Sequence, residues 1–161
     1  MARWRGVRTN KYRARTGISK LEAERGRQLR LLEAAGVIAA LKEQRTSAKE
    51  MRFRISPEGM ENLRYTPDAL FTLNDPVAYG LPHLPIGTLI AEDAKGRLDT
   101  AAVLRMKYFC HYHPGYTLIL SYGIYRSVKG KREIVGFRLV PFKDRRQAQY
   151  RVAKPKKRRA A

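Results

Sequence analysis

Cysteine is almost absent from this chain. Cys110 is the only one among 161 residues, so no intramolecular disulfide can form, which fits a reducing compartment. Long hydrophobic runs are missing as well. No stretch approaches the roughly eighteen continuous apolar residues of a membrane span. No long amphipathic apolar face accompanies the basic runs, which argues against a membrane surface as partner. Acids are scarce: 14 Asp and Glu stand against 34 Lys and Arg, a net charge of +20. The motifs of common chemistry are missing too. There is no phosphate-cradling glycine loop, no serine nucleophile elbow and no carboxylate pair at plausible spacing. Glu92 and Asp93 adjoin on an expected strand and therefore point to opposite faces. The expectation is a protein that is not an enzyme and takes no cofactor, no metal and no small-molecule substrate.

What the chain has in excess is positive charge. A chain this basic repels itself when compact, and a polyanion relieves that repulsion. Nucleic acid is the expected partner, because each phosphate contacted releases condensed counterions. Residues 1–18 form a basic arm carrying Arg3, Arg5, Arg8, Lys11, Arg13 and Arg15. The first twenty residues hold seven basic side chains and no acid. That composition fits a mitochondrial presequence and a phosphate-binding arm alike. Trp4, set among the arginines, either stacks on a base or caps a core edge. Residues 155–161, with Lys156 and Lys157, form a basic tail.

Between these ends the chain divides into three. Residues 19–59 read as a helical segment with a short hairpin. Ser19-Lys20-Leu21-Glu22 has capping-box spacing. Leu21, Leu29, Leu32, Ala35, Ile38 and Leu41 fit one helical face, interrupted at Gly36, which predicts two helices or one weakened helix. Arg25, Arg27, Arg30 and Lys42 lie mostly off that face, either solvated or turned to phosphate. Residues 60–86 hold Pro67, Pro76, Pro82 and Pro85 and read as an extended connector. Residues 87–154 are strand-rich. The segments 88–93, 117–126 and 133–140 are rich in β-branched and aromatic residues and bounded by turns. Weaker candidates at 100–108 and 148–153 bring the count to five. The expected fold is α+β: a basic arm and helix, then a small five-stranded antiparallel OB-like β-barrel that hides its own edges, then the tail.

Candidate site residues follow from charge and aromatic interleaving. Arg138, Lys143, Arg145, Arg146 and Arg151 surround the last strands with Phe142 and Tyr150 among them. Basic groups suit an RNA backbone and rings suit unstacked bases, although Phe142 and Tyr150 also serve as core. Cys110-His111-Tyr112-His113 is the one cluster of metal-ligand type. A structural zinc site would consume it entirely together with His83, so no metal is expected. Gly123-Ile124-Tyr125 with Ile134-Val135-Gly136 resembles the GIY-YIG nuclease motif, but the second tyrosine and the downstream glutamate are missing, and that reading is rejected.

Two further resemblances remain. Leu32-Glu33-Ala34-Ala35-Gly36-Val37-Ile38 followed by Phe53-Arg54-Ile55-Ser56-Pro57-Glu58-Gly59 resembles the end of a winged-helix repressor domain. It implies, as the alternative function, a DNA-binding regulator using residues 19–59. Gly87-Thr88-Leu89-Ile90, then His113-Pro114-Gly115-Tyr116, then the run from Ile134 to Lys143 resemble the OB-fold family numbered seventeen in the small ribosomal subunit. That resemblance implies an OB barrel gripping ribosomal RNA, with His113 and Tyr116 on an RNA-facing loop. The protein would be a structural constituent of the ribosome, with ribosomal RNA and neighbouring ribosomal proteins as partners, and mitochondrial rather than cytoplasmic. The helical front would be an extension.

Overall fold

Ser19 opens the first helix as its spacing predicts. In the computed structural model, which describes residues 19–58, 61–96 and 98–143, helix α1 spans Lys20–Ala34. The Glu22 N–H donates to Ser19 Oγ at 3.1 Å and the Ser19 N–H donates to the Glu22 carboxylate at 2.9 Å. The helix stops at Gly36, whose φ of 72° is open to glycine. There the Gly36 and Val37 amides close onto Glu33 and Leu32 carbonyls, each at 2.9 Å. The helical face therefore does not continue. Ile38 and Leu41 belong instead to strand β1 (Ile38–Glu43).

A single turn, α2 (Gln44–Ser47), leads to the short strands β2 (Phe53–Arg54) and β3 (Arg64–Tyr65), which pair with each other. Strand β4 (Ala69–Leu73) and the turn α3 (Pro76–Tyr79) follow. Then come β5 (Leu89–Ala94), α4 (Thr100–Tyr112), β6 (Tyr116–Val128) and β7 (Lys131–Pro141). The main sheet has the order β1-β4-β5-β6-β7.

The α+β class and the three stronger strand segments are found, but the sheet is not an antiparallel barrel. It is mixed and open, with β5 and β6 parallel, the other neighbours antiparallel, and β1 and β7 left as edges. The cause is residues 100–112. Segment 100–108 reads as a weak strand by composition, yet Asp99 caps a helix there, accepting the Ala102 N–H at 2.7 Å. A helix between two strands allows the crossover that parallel neighbours need. The connector at 60–86 is likewise structured, since β3, β4 and α3 all lie in it. Its prolines sit where a missing N–H costs nothing, Pro67 before β4 and Pro76 at the first position of α3. Residues 19–59 supply α1 and the edge strand β1 to this one sheet and do not stand apart as a winged-helix unit. Residues 1–18, 148–153 and 155–161 lie outside the described residues.

Both faces of the sheet are covered. Leu29 from α1 packs with Ile38, Phe71, Leu73, Ile90 and Ile119 on one side. Met106 and Phe109 from α4 pack with Met51, Ile55, Ala91, Leu118 and Leu120 on the other. The α1 side holds a buried ion pair. Arg25 donates Nε–H and Nη2–H to the two oxygens of Glu92, at 2.5 and 3.0 Å, and Tyr79 OH donates to the same carboxylate at 2.5 Å. Burial works against the Arg25 charge, but Glu92 outweighs it and the guanidinium pKa lies above its ordinary value. Arg25→Leu should leave Glu92 buried without its counter-charge and cost about 3–5 kcal/mol. In Arg25→Leu/Glu92→Gln most of that loss should return, read from urea unfolding midpoints.

Candidate functional site

The antiparallel register of β4 and β5 sets Ala69 opposite Glu92. Asp68, one residue before β4, thereby arrives beside Asp93, and its Oδ2 accepts the Ala94 N–H at 2.7 Å. Side-chain alternation along β5 sends Glu92 toward α1 and Asp93 and Lys95 toward α4. The opposite-faces expectation for Glu92 and Asp93 thus holds, and those two do not meet; what fails is the expectation that the chain has no carboxylate pair at all. Asp93 finds its carboxylate partner on the neighbouring strand, and the chain does contain a carboxylate pair.

The pair sits in a strained electrostatic setting. Asp93 is only 2% exposed. Tyr65 OH donates to Asp93 Oδ2 at 2.5 Å, and Lys95 Nζ lies 3.2 Å from the same oxygen. Burial, and then the Asp93 charge, push the Asp68 carboxyl well above the usual carboxylate range. Burial works against the Lys95 charge, yet Asp93 and Asp68 hold its ammonium pKa above the ordinary value. Burial and Asp93 also raise the Tyr65 hydroxyl, which remains a donor.

These groups border a cavity of about 630 Å³. Its wall is basic: Arg45 from α2, Arg64 from β3 and Arg105 from α4 are exposed side chains on its lining. Glu22, from the first turn of α1, lines it too and adds to the field that keeps Lys95 charged. Hard carboxylate oxygens suit Mg²⁺, which commonly takes one or two carboxylates and completes its shell with water and phosphate oxygens. Among the described residues no group of three His, Cys, Asp or Glu is arranged to hold a metal by itself. The pair therefore fits a cation that arrives with a phosphate better than a closed structural site.

Of the residues expected to bind RNA, the four that are described, His113, Tyr116, Arg138 and Lys143, do not line this cavity. Arg3, Arg5, Arg8, Lys11, Arg13, Arg15, Arg145, Arg146, Arg151, Lys156 and Lys157 lie outside the described residues. His113 is the C-cap of α4, at the head of the turn that leads to β6. Its Nε2–H donates to the Arg54 carbonyl at 2.7 Å, and its ring packs 4.9 Å from Phe53 and 5.3 Å from Phe109. Tyr116 starts β6 with its ring 5.3 Å from Phe53. Both side chains serve an aromatic cluster. Arg138 is exposed on β7, over the Tyr122 ring at 5.5 Å, and Lys143 is exposed beyond its end. Phe142 packs against the α4-side core, the second of its two expected roles.

Sequence reasoning missed Asp68, Asp93 and Lys95 as a group. The available signal was an acid directly before one apolar strand and an Asp-x-Lys at the end of the next. Because Asp68 holds its proton more tightly in the folded chain than in the unfolded one, its contribution to stability is fully present below the unfolded pKa. It is lost as pH rises through the raised pKa. Asp68→Asn should remove that loss, so the variant melts above the parent by a margin that widens from pH 4 to pH 8 in EDTA, measured by circular dichroism. No protein-family model, no curated protein and no solved structure matches the chain, so the function is read from the chemistry of this cavity.

Proposed function

We propose that the protein binds nucleic acid and hydrolyses its phosphodiester bonds with the help of a divalent cation held by Asp68 and Asp93. One observation carries the reading. Two neighbouring carboxylates, one of them with its pKa pushed up by burial and by the charge of the other, stand beside a charged lysine, in an arginine-walled cavity, in a chain of net charge +20. A purely structural contact to a polyanion gains nothing from a half-buried and a buried acid beneath its phosphates. A cation resolves the conflict by neutralising both carboxylates and recruiting a phosphate oxygen.

Each residue then has a part. Asp68 and Asp93 would hold the cation through their anionic oxygens. A divalent cation so held supplies Lewis-acid polarisation of the phosphate and an acidified water. Lys95, kept protonated by its neighbours and lining the same cavity, would offset the charge that builds on a phosphate bound there as the bond to the leaving oxygen breaks. Arg45, Arg64 and Arg105 hold the flanking backbone. Tyr65, donating to Asp93 Oδ2, fixes the direction in which that carboxylate presents its remaining lone pairs.

The ribosomal reading stays as a second proposal, supported by the net charge of +20 and by the resemblance around His113-Pro114-Gly115-Tyr116. Co-sedimentation with ribosomal particles through high-salt gradients tests it, and release of the protein into the top fractions would count against it. For the catalytic proposal, purified protein should cleave nucleic acid in Mg²⁺ or Mn²⁺ and be silent in EDTA. Asp93→Asn and Lys95→Ala should each lower the rate at least about a hundredfold. Undiminished cleavage by Asp93→Asn, or metal-independent cleavage, would remove the proposal.

A further inference from the structure

Strand β5 ends at Ala94, paired with Ser121 of β6. Beyond that point β6 has only β7 for a neighbour. Residues 122–128 and their partners continue as a two-stranded ribbon past the end of β5, about 23 Å at roughly 3.3 Å per residue. It departs from the reacting cavity, since the Lys95 N–H donates to the Ser121 carbonyl at 2.9 Å where the ribbon begins.

The composition of this ribbon is unlike that of the sheet. Residues 124–133 are exposed throughout. Arg126, Lys129, Lys131 and Arg132 crowd its outer end, and Glu133 is the one acid there, opposite Arg126 in the ladder. The turn is tight. Lys129 and Gly130 have φ of 48° and 75°, the two positive angles of a two-residue hairpin whose twist suits the strands. Lys129 is thereby presented at the very tip. The Arg132 guanidinium stacks 4.4 Å from the centre of the Tyr125 ring, which stiffens one face. An unpaired hairpin so charged gains nothing for the core. Such a segment needs a partner to lower its self-repulsion.

We infer that the β6–β7 ribbon enters the major groove of B-form DNA and that the substrate of the cavity at its root is duplex DNA. The inference rests on the nucleic-acid reading above and narrows its substrate. Three observations carry it: the ribbon's width of two strands, its basic outer end, and its origin beside Lys95. The B-DNA major groove, about 12 Å wide and 8.5 Å deep, admits a two-stranded β-ribbon. The major groove of A-form RNA is deep and narrow and closed to side chains. A single strand offers no groove for the ribbon to fill. Lys129 and Lys131 meet phosphates, while Arg126 and Arg132, on opposite faces of the ladder, reach one groove wall or the base edges between.

The test separates binding from cleavage. The full chain carrying Asp93→Asn, in EDTA, is titrated by fluorescence anisotropy against a DNA duplex, an RNA duplex and a DNA single strand of matching sequence. The same chain with Arg126→Ala/Lys131→Ala/Arg132→Ala is compared, and Arg126→Ala and Lys131→Ala are measured singly in case the triple variant folds poorly. The DNA duplex should bind tightest. The triple variant should lose about tenfold or more on that duplex alone, with a salt slope shallower by about three. Unchanged duplex affinity in the triple and single variants, an equal loss on all three nucleic acids, or tighter binding of the RNA duplex would overturn the inference. So would a changed oligomeric state with unchanged DNA affinity, which would make the ribbon a contact between copies. Loss of the cleavage proposal leaves this outcome readable, because no arm of the titration depends on turnover.

Discussion

Strand β5 runs through the middle of the sheet with two adjacent carboxylates on it, and much of the structure answers the need to compensate them separately. Pleating sends Glu92 and Asp93 into opposite halves of the core, each almost completely buried. On the α1 side the answer is complete: a bidentate guanidinium and a tyrosine hydroxyl satisfy Glu92. On the α4 side it is partial. Tyr65 and Lys95 reach Asp93, but Asp68 stands beside it with a second negative charge. The first arrangement locks α1 against the sheet, and the second leaves two neighbouring carboxylates incompletely compensated.

That asymmetry links stability to chemistry. Arg25 and Glu92 are useful to the fold because nothing outside is needed to satisfy them. Asp68 and Asp93 act against the fold when both are ionised, and a ligand that neutralises them repays the difference by binding the native state alone. The location follows from topology. The crossover helix α4 lifts the chain off the sheet after β5, and the space left between β3, α2 and the start of α4 is the cavity. The same divergence lets β6 run on beyond its neighbour and carry a basic hairpin outward. Site and ribbon are thus two consequences of one parallel strand pair.

Sequence patterning was most reliable where the signal was local. Strands β5, β6 and β7 stand close to the segments that β-branched and aromatic runs mark, and the capping box at Ser19 and Glu22 forms as spaced. It misled where tertiary context outweighed composition. Val103 and Tyr108 read as strand residues, yet Asp99 caps a helix through them. The prolines of 60–86 suggested a connector, yet Pro67 and Pro76 sit at element ends and leave β4 intact between them, and only Pro82 and Pro85 lie in a turn-rich link. Gly36 weakened the helical pattern on paper and in the fold ends it outright, handing Ile38 and Leu41 to a strand.

The amino-acid sequence by itself determined the net charge of +20, the lack of any intramolecular disulfide, and the positions of the principal strands, because charge, cysteine number and side-chain shape act without long-range contacts. Whether strands close into a barrel or open around a crossover helix was decided only by tertiary structure, since pairing partners are chosen by packing between distant segments. The meeting of Asp68 with Asp93 and Lys95 was decided there too. A carboxylate pair held by the register of two strands has no fixed spacing along the chain, and it exists only once β4 lies against β5.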